Sequence, residues 1–243
     1  MEFTYKAYQK LIVKLKEKGY KSCFYDEVDF FEKTVILRHD IDFSPKKALE
    51  IAKIEYELGV KSTFFVLLSS EFYNIFSKSV SKALNEIVDM GHQVGLHFDE
   101  KRYNKSSIED ITKKIYSELN ILKMALNRSS DIISMHRPSK LMLKENITFN
   151  GAINSYSKKF FTDMKYVSDS RMSWKEDIFE VIESEKYKKI HILTHPFWYS
   201  NEAETTKDKL CSFINQAREY RYNLIDDNFK NLDEYLKLEE LIW

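Results

Sequence analysis

The sequence predicts an α/β fold in which a parallel sheet closes into a barrel, and two observations predict it. Short apolar runs alternate along the chain with segments of helical periodicity, the pattern of strand–helix–strand crossovers. The residue types that do chemistry fall at the carboxyl ends of those runs, where barrels and open parallel sheets gather their reactive groups. At 243 residues the chain is long enough for one such domain with a sizeable core, and it carries no internal repeat, low-complexity tract or evident linker. A single domain over 1–243 is expected.

Taken in order, residues 4–18 place Tyr5, Tyr8, Leu11, Ile12 and Leu15 at helical spacing and close at Gly19. Strands are predicted over 34–39, 62–68, 93–97, 131–136, 164–168 and 190–194. Between them lie helices near 45–58, 77–90, 107–126 and 205–221. Ser44-Pro45 reads as N-cap and first helical residue, Gly91 as a C-cap, and Ser106 with Glu109 has capping-box spacing. Residues 139–163 are the least patterned and are expected to form loops or a short helix over the mouth of the site. A final amphipathic helix is expected over 231–241.

Composition excludes several function classes. Lys+Arg and Asp+Glu number 38 each, so net charge argues for no nucleic-acid or anionic-membrane partner. Cys23 and Cys211 match no metal spacing and make no disulfide framework, which points to a reducing compartment. No run approaches transmembrane length, and the N-terminal residues lack a basic segment followed by an apolar stretch. A cytoplasmic protein is expected.

The chemistry centres on Arg38-His39-Asp40-Ile41-Asp42, which follows Val35-Ile36-Leu37. Side chains alternate along a strand, so Asp40 and Asp42 share a face and His39 takes the other. Two neighbouring carboxylates repel unless a cation or shared proton relieves them. A metal on Asp42 would leave Asp40 ionised beside it, able to take a proton from water; the pair reads equally as a cap for the next helix. His97 ends the run that starts at Gly91-His92, and only it sits at the exit end, so His92 reads as structural. His136-Arg137 ends the next run, and Arg137 could fork onto a carboxylate, with Asp40 the expected target. Asp169, Arg171 and Trp174 offer polar and aromatic groups for a sugar ring, or simply a surface turn. His195 ends the last apolar run and suits a general acid, while His191 at its start reads as structural. Phe98, Trp174 and Trp198 could line a sugar site or pack in the core. All three prolines, Pro45, Pro138 and Pro196, stand beside these candidates.

The ordered set HDID, GHQVGLH, HRP and LTHP resembles the polysaccharide deacetylases (NodB-homology, carbohydrate esterase family 4) over about residues 34–200. The forms LHFD, HRPS and LTHPFW are most similar to the branch associated with bacterial surface-polysaccharide biosynthesis. The resemblance implies a distorted (β/α) barrel and metal-dependent removal of an N- or O-linked acetyl group from a sugar. It makes Asp40 the base, Asp42 and His97 metal ligands, Arg137 the residue that orients the base, and His195 the acid. The family's second histidine, four residues after the first, is Lys101 here, and a protonated lysine cannot ligate a cation. Asp99 is the expected third ligand and His136 the runner-up. The cofactor expected is a divalent metal, zinc first, with cobalt, nickel or iron as substitutes. The expected substrate is an acetylated sugar, nucleotide-linked or lipid-linked. The departure at Lys101 keeps two alternatives open: a non-catalytic carbohydrate-binding protein, and metal-free hydrolysis of a cyclic amide or ureide.

Overall fold

The computed structural model describes residues 1–103, 107–126, 128 and 131–241. The capping pair expected at Ser106 falls outside them. The chain divides into two compact units, Met1–Asn201 and Glu202–Trp243, and the motif-bearing stretch 34–200 lies wholly in the first.

In chain order the first unit contains α1 (Tyr5–Glu17), β1 (Lys21–Ser22), β2 (Thr34–Ile41), α2 (Pro45–Glu57), β3 (Thr63–Val66), α3 (Lys78–Asp89) and β4 (Gln93–Phe98). It continues through α4 (Ile108–Leu126), β5 (Ile132–Met135), α5 (Lys140–Lys144), β6 (Ile153–Asn154), α6 (Lys158–Phe161), β7 (Lys165–Ser168), α7 (Ile178–Glu183) and β8 (Lys189–Thr194). The strands form one sheet in the order β6-β5-β4-β3-β2-β8-β7, with β1 added beside the start of β2. Every pairing is parallel.

Two hydrophobic clusters, one on each face, show how the sheet is shaped. Val35, Leu37 and Ile41 of β2, with Val66, Leu96 and Ile133, face outward and pack beneath α1 to α4. Ile36, Phe65 and Ile132 face the other way and meet Tyr25, Phe160 and Met164 in a smaller cluster. Side chains from β2, β3, β5 and the segment before β7 reach one another only if the sheet curls around that interior. The barrel is distorted as the resemblance implied, because no pairing among the described residues joins β6 to β7. Gly95 faces inward, and a Cβ there would lie 2.7 Å from the Ile132 carbonyl oxygen and 3.0 Å from the Phe65 ring. Glycine is therefore what lets Phe65 fill the interior against β5.

Sequence signals set the ends of several helices. Ser44 Oγ accepts from the Lys47 N–H at 3.3 Å and Pro45 opens α2, while Thr4 Oγ1 caps α1 by accepting from Ala7 at 3.1 Å. The expected loop at 139–163 is a loop carrying α5, β6 and α6, each five residues or shorter.

The second unit contains α8 (Thr206–Asp226), capped by Thr205. The helix expected over 231–241 is instead two 3-10 turns, Leu232–Glu234 and Leu238–Leu241. Asn231 takes a left-handed φ of 56°, and Tyr235 and Leu238 stay exposed. A segment this short that buries Leu232 but leaves Tyr235 and Leu238 exposed does not hold an α-helix.

Candidate active site

Register brings the site residues level with one another. Ile41 pairs with Val66, Val66 with Leu96, and Leu96 with Ile133. One residue further along, Asp42, His97 and Ser134 therefore stand in a row on the inner face. His136 follows from the end of β5 and His195 from the end of β8. Outward-facing His39 is spent on structure: its Nδ1 lies 2.7 Å from Thr194 Oγ1 and its Nε2 3.0 Å from Glu55. His92 contacts the Ala52 carbonyl and Ser62, and His191 contacts Tyr25 and the Phe160 carbonyl, so both are structural as expected.

Three donor atoms converge. His97 Nε2 lies 3.2 Å from Asp42 Oδ1, His136 Nδ1 lies 3.4 Å from the same oxygen, and the two imidazole nitrogens are 3.2 Å apart. Zinc held tetrahedrally at about 2.0–2.1 Å has its ligands about 3.3–3.4 Å from one another. The triangle has the dimensions of one face of that tetrahedron. Asp42 Oδ1 is buried and accepts a hydrogen bond from neither imidazole. The three atoms lie within 4.8 Å of one another, the two ring nitrogens in hydrogen-bonding contact, and an aspartate with two imidazoles is a donor set that suits zinc and its neighbours.

This corrects the expected ligand set. His136, the runner-up, completes the triangle with Asp42 and His97, and Asp99 lies outside it. Asp99 is turned to other work: one oxygen accepts from the Lys101 N–H at 3.1 Å and the other from Arg137 at 2.6 Å. Lys101 itself is exposed in the short 3-10 turn after β4.

Asp40 stands on the near side of the triangle, 3.5 Å from His97 Nε2. Its partner is Arg38 and not Arg137. Arg38 Nε donates to Oδ1 at 2.9 Å and NH2 to Oδ2 at 2.8 Å, a two-pronged fork in which both residues are buried. Arg137 follows a sharp turn at a φ of 52° and its guanidinium points to Asp99, half-exposed. Burial opposes charge on Asp40, but Arg38 and then His97 outweigh it and hold the carboxyl below its usual range. Burial likewise opposes charge on Asp42, and His136 and His97 overturn it, leaving that carboxyl well below its usual range.

On the far side, His195 Nε2 is 3.9 Å from Asp42 Oδ2. Asp169 is buried behind it and does not face a ligand as expected. It lies 2.6 Å from His195 Nδ1, accepts from the His195 N–H at 3.0 Å, and accepts from the Tyr199 hydroxyl at 3.1 Å. Burial works against a charged imidazole, but Asp169, with help from Asp42 and Asp40, raises His195 to about 9. The remaining substrate candidates are dispersed. Arg171 is exposed at a φ of 60°, Trp174 packs on the outer core, and Trp198 meets Phe197 edge-on at 4.9 Å. Trp198 meets the site only through its backbone N–H, which donates to the His195 carbonyl at 3.1 Å, and among the described residues no side-chain hydrogen bond or ion pair ties these three to the converging groups. Phe98 is core, stacked on Tyr103.

Arg38 was legible in principle. It stands two residues before Asp40, so the strand's period of two puts both on one face. Ser134, two before His136, carried the same signal.

No protein-family model and no curated protein matches the chain. Among solved structures it is similar to a CE4 family pseudoenzyme from Bacillus anthracis, at 18% identity over 78% of this chain and 62% of that one, with a TM-score of 0.45. This chain thus spans less than two thirds of that protein's length. It is similar also to the catalytic domain of a peptidoglycan N-acetylglucosamine deacetylase from Eubacterium rectale, at 16% identity over 79% and 87% of the two chains, TM-score 0.49. A family 4 carbohydrate esterase from Bacillus anthracis shows 17% identity over 90% and 89%, TM-score 0.43. At identities this low, the side chains at the strand ends, not the likenesses, decide what the site can do.

Proposed function

We propose that the chain is a polysaccharide deacetylase-type hydrolase that removes an acetyl group from a sugar with the help of a divalent cation, zinc first among them. The observation that carries this is the donor triangle of Asp42, His97 and His136, flanked by a fork-held carboxylate on one side and a carboxylate-backed imidazole on the other. A cation bound there supplies Lewis acidity, polarising an acyl carbonyl and making water easier to deprotonate. Asp40, kept ionised and aimed by Arg38, takes the proton from the attacking water. Asp169 holds the proton on His195 Nδ1, so that in the imidazolium Nε2–H faces the site and protonates the departing nitrogen or oxygen. The new C–O bond to the acetyl carbon forms first, the C–N or C–O bond to the sugar then breaks as its nitrogen or oxygen takes the His195 proton, and acetate leaves.

The resemblance to surface-polysaccharide enzymes supports a nucleotide-linked sugar or a lipid-linked glycan as substrate, met in the cytoplasm or at its membrane face. No helix among the described residues is long and apolar enough to cross a membrane. Acetate release from acetylated amino sugars, measured before and after dialysis against a chelator, tests the assignment. Activity that disappears with the metal and returns with zinc is expected. Release that survives chelation would favour metal-free hydrolysis, and protein without metal or release would favour carbohydrate binding alone.

A further inference from the structure

Ser134 sits between the two halves of the site. Its hydroxyl oxygen accepts from Arg38 NH2, the same nitrogen that holds Asp40, and lies 3.1 Å from His97 Nδ1. All three side chains are buried. Arginine has no acceptor, so one lone pair of Ser134 is committed to Arg38. The contact with His97 can run either way: the hydroxyl donates to a bare Nδ1, or Nδ1–H donates to the second lone pair.

The place of Nε2 in the donor triangle decides between them. His97 Nε2 has Asp42 Oδ1 at 3.2 Å, Asp40 Oδ2 at 3.5 Å and His136 Nδ1 at 3.2 Å, yet Asp42 Oδ1 accepts no hydrogen bond. His136 Nδ1 lies within hydrogen-bonding reach and would accept a proton carried on Nε2, whereas a cation held by the triangle needs the Nε2 lone pair. An Nε2 that presents its lone pair belongs to the donor triangle, and the ring's proton must then sit on Nδ1. A neutral imidazole carries one N–H, and the partner of one nitrogen sets what the other can do.

We propose that Ser134 is a positioning residue for the metal centre: it accepts the Nδ1–H of His97, fixes that tautomer, and turns the Nε2 lone pair toward Asp42 and His136. Through its other lone pair it ties the same ring to the Arg38 fork, so the base and the ligand are set by one hydroxyl. The inference rests on the metal site of the proposed function, but its first readout needs no metal.

Long-range nitrogen–proton correlation spectra of the metal-free protein, with His97 assigned by His97→Gln, report which ring nitrogen carries the proton. Wild type is expected to show His97 as the Nδ1–H tautomer, and Ser134→Ala to show a shift toward Nε2–H. Zinc titration with a competing chelator should then show affinity in Ser134→Ala lower by about 10–100-fold, the usual loss for an outer partner of a ligating histidine. Ser134→Thr, which keeps the hydroxyl, should recover most of it. A wild-type His97 protonated on Nε2, or wild-type zinc affinity in a folded Ser134→Ala, overturns the proposal. If Ser134→Ala does not fold, the wild-type tautomer alone decides it. A wild type that binds no zinc while showing the Nδ1–H tautomer would sink the metal reading and support the hydrogen bond assigned to Ser134.

Discussion

In the proposed reaction Asp40 and His195 divide the acid–base work because their surroundings differ, and each difference can be measured. Asp40 is buried against a cation that cannot lose its proton, so it stays a base. Asp40→Asn keeps the shape and the Arg38 contact through its carbonyl oxygen, and it leaves Asp42, His97 and His136 in place. Acetate release is expected to fall by about 10²–10⁴-fold with metal content unchanged; near-wild-type turnover would assign the base elsewhere. His195 is the opposite case. Its pKa is raised to about 9, so the stability gained from pairing with Asp169 is fully present below the ordinary imidazole value and is lost as pH rises through about 9. In the metal-free protein an NMR titration of His195 should show its midpoint near 9, and Asp169→Asn should bring it down, since burial then acts without its counterweight. A His195 midpoint unmoved by Asp169→Asn would remove Asp169 from the pair. At this scale the sequence showed the reactive types but not all their partners. The arginine of HRP, Arg137, suggested itself for Asp40, whereas the strand's own alternation placed Arg38 closer.

β2 shows how an element can serve two faces. Its inward residues, Ile36, Arg38 and Asp40, run from apolar filling to the reactive end. Its outward residues seat it under the helices, with His39 tied to Glu55, which also accepts from Tyr8 at 2.6 Å and Ser62 at 2.5 Å. That carboxylate is buried, and His39 and His92 outweigh the burial to keep it ionised. β4 works under a tighter constraint. Gly95→Ala would drive a methyl group into the Ile132 carbonyl and the Phe65 ring, and a loss of about 1–3 kcal/mol in a denaturant melt is expected. A variant as stable as wild type would show that the interior has slack there. Periodicity and the capping residues made the longer elements legible, because a buried face of five or more residues leaves a pattern. β1 and β6 have two residues each, too few for any period, and in the C-terminal segment Leu232 is buried while Tyr235 and Leu238 stay exposed.

At the scale of the whole molecule, the curl of the sheet turns strand ends from β2, β4, β5 and β8 into one chemical site. Residues from 40 to 195 in the sequence meet there at separations of 3.2 to 3.9 Å, and the sequence could order the motifs along the chain without stating which atoms would touch. The third ligand of the proposed metal site shows that limit most plainly. Asp99 stands two residues after His97 and could share its face on a continuing strand, but the chain leaves the strand at Phe98 and Asp99 caps the following turn. His136 reaches the same point from the neighbouring strand, supplying the imidazole that Lys101 cannot. The account therefore stands on Asp42, His97 and His136 holding one cation without Asp99. Zinc stoichiometry and affinity measured side by side for wild type, His136→Ala and Asp99→Asn test it most directly. One zinc per chain in wild type is expected, with affinity largely retained in Asp99→Asn and reduced by more than about 100-fold in His136→Ala, beyond the effect of an outer partner. Zinc lost in Asp99→Asn and kept in His136→Ala would contradict it.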